Sequence, residues 1–158
     1  MSSPASIKGH PIHPMLIPFP IALWTFSCIC DLVSILRFGG TLWEDMAFFS
    51  MAGGVIGAVI AAVPGYLDFR SLVDTNVRRI GRWHMATNLF LVGLFAINLW
   101  LRLDGQAGDI LPFGLSLIGL AMLGISGWLG GELVYGHGVA VESQVPVTTG
   151  MKGSGHAA

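Results

Sequence analysis

Four stretches of this chain run for about twenty residues with almost no charge: Met15–Leu36, Met46–Phe69, Met85–Leu101 and Leu111–Val134. An α-helix needs roughly 20 residues to cross about 30 Å of hydrocarbon. A bilayer core offers no water to free peptide groups, so such segments must satisfy their own backbone as helices. Composition agrees, with 53% apolar and 11% charged residues, against roughly 25% charged in soluble domains. A soluble core of that size would leave too little polar surface. The expected fold is all-α: a four-transmembrane-helix up-down bundle in a lipid bilayer.

Three domains of behaviour are expected: an N-terminal His-Pro segment (1–14), the transmembrane domain (15–137) and a flexible, Gly-rich C-terminal tail (138–158). The first apolar run is far longer than the ~7–15 residues of a signal h-region, so it is expected to stay as a span. Lys and Arg near the span ends are unevenly shared. Lys8, Arg70, Arg78, Arg79, Arg82 and Lys152 fall on one side, Arg37 and Arg102 on the other. By the positive-inside rule both termini are cytoplasmic. Trp24, Trp43, Trp83, Trp100 and Trp128 mostly lie near span ends and read as an interfacial belt.

The net charge of -1, with no basic stripe, argues against nucleic-acid binding. Cys28 and Cys30 are the only cysteines, so no disulfide framework or zinc ribbon is available. Both read as small apolar fillers. Glycines in "GGVIGAVIAA" and "LGISGWLGGE" either let helices approach closely or leave room for a flat cofactor. Asp31 lies inside the first span, where an unpaired acid costs about 2.5–3.5 kcal/mol on insertion scales. It is expected to pair with Asn98 of the third span.

The remaining polar groups converge. His10 and His13 precede span one, Asp68 closes span two, His84 opens span three, and Glu132, Tyr135 and His137 close span four. An up-down path puts them all at one membrane boundary. Prolines after His10 and His13 favour extended or polyproline II backbone, on which both imidazoles would point the same way. His84 and Asn88, four apart, share a helix face, as do Glu132 and Tyr135, three apart. A single histidine at such a depth reads as an ordinary interfacial residue. Four together suggest a shared pocket.

The segments "HPIHPMLIPFPIALW", "PGYLDF", "HMATNL" and "SGWLGGELVYGHGVAV" resemble, in that order, a bacterial membrane family of unknown function, DUF2231. That resemblance implies a four-helix protein of the bacterial inner membrane. It is distantly similar to four-helix b-type cytochromes, and some relatives are joined to Rieske-type iron–sulfur domains, which implies electron transfer. Two-haem cytochromes carry histidine pairs at both membrane faces, whereas this chain has them at one.

Three functions follow as expectations. The first is a b-type haem held by His13 and His84, with His10 and His137 as competing donors and Asp68 or Glu132 orienting a ligand imidazole; Asn88 and Tyr135 complete the surroundings. The second is a non-haem Zn, Fe or Cu ion on His13, His84 and His137. The third is a structural or accessory subunit without cofactor. A redox partner such as an iron–sulfur protein fits the first, and a homo-oligomer any of them. No hydrolase, kinase or dehydrogenase motif is present, and enzyme activity stays open.

Overall fold

The computed structural model describes residues 3–103 and 109–141. Residues 104–108 of the third inter-span loop and the tail beyond residue 141, with Lys152, lie outside the described residues. Four helical spans are long and apolar enough to cross a membrane: Ile12–Ile35, Leu42–Arg70, Thr75–Leu101 and Ile110–Gly136.

The chain enters through a small hairpin. Strands β1 (Ser6–Ile7) and β2 (His10–Pro11) pair antiparallel, Ile7 opposite His10. Lys8 and Gly9 between them both have positive φ, 50° and 81°. A two-residue type I′ turn requires that conformation at both central positions. The extended backbone expected of this segment holds through His10 and Pro11 and stops there, which corrects the expectation that both imidazoles point the same way. His10 sits in a strand and is exposed, whereas His13 is already in the first turn of helix α1 (Ile12–Leu16). The two imidazoles do not share a face. A break at Ile17 separates α1 from α2 (Pro18–Ile35), because Pro18 and Pro20 have no N–H to continue the ladder.

Helices α3 (Leu42–Arg70), α4 (Thr75–Leu101) and α5 (Ile110–Gly131) complete the bundle, and α5 runs into a π-helical turn, Glu132–Gly136. Helix α4 begins ten residues before the expected third span, so Arg78, Arg79 and Arg82 stand on its first turns rather than in a loop. Asp74 caps it, accepting from the Val77 and Asn76 amides at 3.0 and 2.8 Å. Those amide bonds, first Val77 and then Asn76, hold the Asp74 carboxyl below its ordinary value of 3.8, with a smaller contribution from His137. A depressed folded value means the cap contributes fully above pH 3.8 and fades as pH falls through the lowered value. Hydrogen exchange at Asn76 and Val77 should therefore speed up in acid, and Asp74→Ala should remove that pH dependence.

Between the membrane boundaries, Trp24, Met51, Leu91 and Phe95 form the packed centre. Trp24 stacks on Phe95 with ring centroids 4.0 Å apart and is 2% exposed. It is a core residue, not an interfacial anchor. The open backbone of Gly54 lies against its indole, so the small residues of α3 made this burial affordable in space. Trp83, Trp100 and Trp128 do face outward.

The two ends differ in chemistry. At one, the α3–α4 connection packs on the end of the last span through Leu72, Val77, Leu133 and Val139, and Asp68 receives the N-terminal segment through Ser3 Oγ at 2.6 Å. The ends near residues 8–14, 68–84 and 132–140 thus share a side. Towards the other end, Asp31 and Arg102 form a buried bidentate ion pair, Nη1–Oδ1 2.7 Å and Nη2–Oδ2 2.6 Å. The expected Asp31–Asn98 pairing is corrected. Asn98 Oδ1 instead accepts from Arg102 Nε at 3.1 Å, while its amide donates to Pro112 O and Ser116 Oγ, each at 3.0 Å. Arg102, counted above as a loop charge, is consumed in the interior. Cys28 and Cys30 are free and buried nearby on α2.

Candidate functional site

Helix α1 delivers His13 onto α3, and helix α4 delivers His84 onto α5, and the two seats are built alike. His13 Nδ1–H donates to Ala61 O at 2.8 Å, and a Cβ on Gly65 would fall 2.7 Å from that same nitrogen. His84 Nδ1–H donates to Ser126 O at 3.0 Å, and a Cβ on Gly130 would fall 3.1 Å from its Cε1. In both seats the acceptor carbonyl is at position i and the glycine at i+4. Residues i and i+4 stack on one helix face, so a side chain at i+4 would cover the carbonyl of residue i. Glycine uncovers it, and an imidazole takes the space. Pro64, buried inside α3, lacks the N–H that would serve Ile60 O, one residue before the first seat's carbonyl.

Seated this way, the two rings meet in a T-shaped, edge-on arrangement. Their centroids are 6.4 Å apart and their planes nearly perpendicular, at 87°. A carbonyl can only accept, so each Nδ1 carries the proton. A neutral imidazole with Nδ1–H keeps its lone pair on Nε2. Beside His84 the Asn88 amide donates its two hydrogens to Ser126 Oγ at 2.7 Å and to His84 O at 2.8 Å, and its nitrogen stands 3.2 Å from the ring's Nε2. At His13 no hydrogen bond to Nε2 occurs among the described residues.

The other expected members stand apart. His10 is exposed on β2. His137 Nε2 lies 3.9 Å from Glu132 Oε1, a contact within one partly exposed turn. Tyr135 is 92% exposed. Asp68, 9% exposed, holds the N-terminal segment rather than an imidazole, with Ala5 N at 3.5 Å besides the Ser3 hydroxyl. The carboxylates expected to orient His13 and His84 do not reach them. Backbone carbonyls do that work. Among the described residues no group of three or more His, Cys, Asp or Glu is placed to hold a metal ion.

The glycines of α5 have two kinds of surroundings. A Cβ on Gly119 would collide with Phe95 and one on Gly130 would crowd His84, whereas Gly124 and Gly127 face open space. The latter line an outer groove with Trp128, Gly131, Glu132 and Tyr135.

A sequence profile described as "Predicted membrane protein (DUF2231)" matches residues 9–143. That stretch contains both seats and all four spans. The chain belongs to the DUF2231 family. No curated protein and no solved structure matches it. In this DUF2231 protein the seats are the part that sequence reasoning missed. Their signal was available as Gly at i+4 from a helix carbonyl in "AAVPG" and "SGWLG", but it takes a partner helix to say which carbonyl is used.

Because the Gly65 Cβ would overlap the His13 ring, Gly65→Ala should displace that imidazole from Ala61 O. Histidine side-chain ¹⁵N spectra should then show His13 losing its fixed tautomer while His84 keeps its own.

Proposed function

We propose that this protein is a b-type haem electron-transfer subunit of the bacterial inner membrane, in which His13 and His84 would hold the haem. The observation that supports this reading is the pair of pinned imidazoles from different helices, 6.4 Å between centroids. A metal between two imidazole nitrogens at the typical ~2.0–2.1 Å leaves ring centres roughly 6 Å apart. Haem iron needs axial donors from opposite sides of its ring. Ligand imidazoles nearly always donate their other N–H to a fixed acceptor, and Ala61 O and Ser126 O are such acceptors. Two imidazoles with their Nδ1 protons held in this way are donors of the type that haem takes.

When bound, haem would carry one electron at a time between its ferric and ferrous states. The protein's part is to hold both Nδ1 protons, present both Nε2 lone pairs, and keep the iron in apolar surroundings that set its potential. With histidines at one boundary, passage across the whole bilayer needs a second carrier, and an iron–sulfur protein is a suitable partner. A non-haem metal ion has a weaker basis, since His137 does not join the pair. A cofactor-free packing role is favoured by Asn88, whose amide nitrogen stands 3.2 Å from His84 Nε2.

Haem and metal content per chain separates these readings. Purification from haem-replete cells should yield one extractable haem per chain. Zinc or copper without haem would favour the bare-ion reading, and neither would favour packing.

Orientation follows from charge. Arg70, Arg78, Arg79 and Arg82 are exposed on the side of the histidine seats, so that side should be cytoplasmic. A cysteine in place of Ser71 should resist membrane-impermeant maleimide in intact cells and react after lysis. Labelling from outside would reverse the orientation.

A further inference from the structure

We infer that the start of α4 carries a binding site for one anionic phospholipid, with Arg79 and Arg82 on its phosphate and Trp83 at the level of its ester groups. The site stands apart from the haem reading.

Depth places these residues at the headgroup layer. Trp83 and Trp100 are 65% and 59% exposed on the same helix. At 1.5 Å per residue they lie about 26 Å apart, close to a hydrocarbon thickness of about 30 Å. Exposed indoles settle at its two edges. Helix α4 nonetheless begins at Thr75, about two turns before Trp83. Arg82 and Arg79 stand on that extension, about 2 and 6 Å beyond the indole along the axis. Lipid phosphates lie in that layer.

Below the arginines the helix offers an apolar face. Trp83, Ala86, Phe90 and Ile97 follow Arg79 at helical spacing, with Arg82 beside them, and all are exposed. An acyl chain can lie along such a face while the headgroup meets the arginines.

Charge selects the headgroup. Among the described residues no carboxylate stands within ion-pair distance of Arg79 or Arg82. The acids of this end are engaged elsewhere: Asp68 with Ser3 and Ala5, Asp74 with the α4 amides, Glu132 beside His137. Arg78 turns aside, its guanidinium 5.7 Å from the centre of the Phe69 ring. Side chains three positions apart are neighbours on a helix, and two planar guanidinium forks suit the oxygens of a phosphate. A headgroup of net negative charge, such as phosphatidylglycerol, matches them. A phosphocholine headgroup would bring its own cation against them.

The whole protein in neutral detergent is titrated with dioleoyl phosphatidylglycerol or dioleoyl phosphatidylcholine, and bound lipid is counted by native mass spectrometry. The acyl chains are identical, so a difference reads the headgroup. A basic residue at an anionic lipid surface contributes about fivefold in affinity, so wild type should prefer phosphatidylglycerol by about tenfold or more. Arg79→Gln and Arg82→Gln should each weaken it about fivefold, and together about twenty-five-fold, with phosphatidylcholine unchanged. Arg70→Gln, at the same boundary on α3, should leave both lipids as in wild type. Phosphatidylglycerol with a brominated acyl chain should quench less tryptophan emission in Trp83→Phe than in wild type. Equal affinities for the two lipids, or an equal loss at Arg70, would overturn the site in favour of a diffuse positive field. Unchanged quenching in Trp83→Phe would overturn its location. Displacement of the lipid by millimolar glycerol phosphate would overturn it in favour of a phosphate site that needs no lipid.

Discussion

Asp31→Ala should destabilise the bundle by about 3–5 kcal/mol, the usual cost of breaking a buried ion pair from one side. The guanidinium of Arg102 would remain at 4% residue exposure with its charge unopposed. Its remaining partners are Asn98 Oδ1 and a long 3.5 Å contact to Ser116 Oγ, and neither neutralises a cation. The three helices α2, α4 and α5 meet at this group, so the loss would be felt as separation of the N-terminal hairpin of helices from the C-terminal one. Paired substitution should behave differently. Asp31→Leu with Arg102→Leu removes both desolvated charges and should recover most of the loss, because apolar replacements of buried pairs are commonly neutral or stabilising. Reversible unfolding in mixed micelles, run as a double-mutant cycle, measures both. A single-variant loss under 1 kcal/mol would mean that water reaches the pair.

Replacing either seated histidine should abolish cofactor retention without unfolding the protein. Insertion depends on the apolar spans, which His84→Ala and His13→Ala leave intact, so helical content should match wild type by circular dichroism. Haem per chain should fall at least tenfold in each. The same substitution at His10 or His137 should leave haem content unchanged, since one is exposed on a strand and the other is paired with Glu132 on a partly exposed turn. This contrast discriminates among the four candidate donors. A loss at His137 equal to that at His84 would place a donor where the geometry does not.

Much of the architecture was legible in the sequence because hydrocarbon imposes a length and a polarity that a chain cannot evade. The spans, their alternating path and the common side of Asp68, His84 and Glu132 all followed from that constraint. Interior pairing did not. Arg102 reads as a loop charge because it closes a span, yet its long side chain reaches back along α4 to Asp31. Trp24 reads as an anchor for the same reason, and only its contact with Phe95 and Gly54 places it in the core. The candidate site was half visible. Residue type and depth singled out His13 and His84 among the histidines, but carboxylates seemed the natural partners for their second nitrogens. A main-chain acceptor leaves no residue type to find; it is exposed by what is missing, the side chains of Gly65 and Gly130.

The most direct measurement is the visible spectrum of the purified protein, oxidised and then dithionite-reduced. The account predicts an intense Soret band that shifts on reduction and sharpened long-wavelength bands typical of iron with two nitrogen axial ligands. A protein with four inserted helices that remains colourless, both as purified and after hemin is supplied, would contradict it.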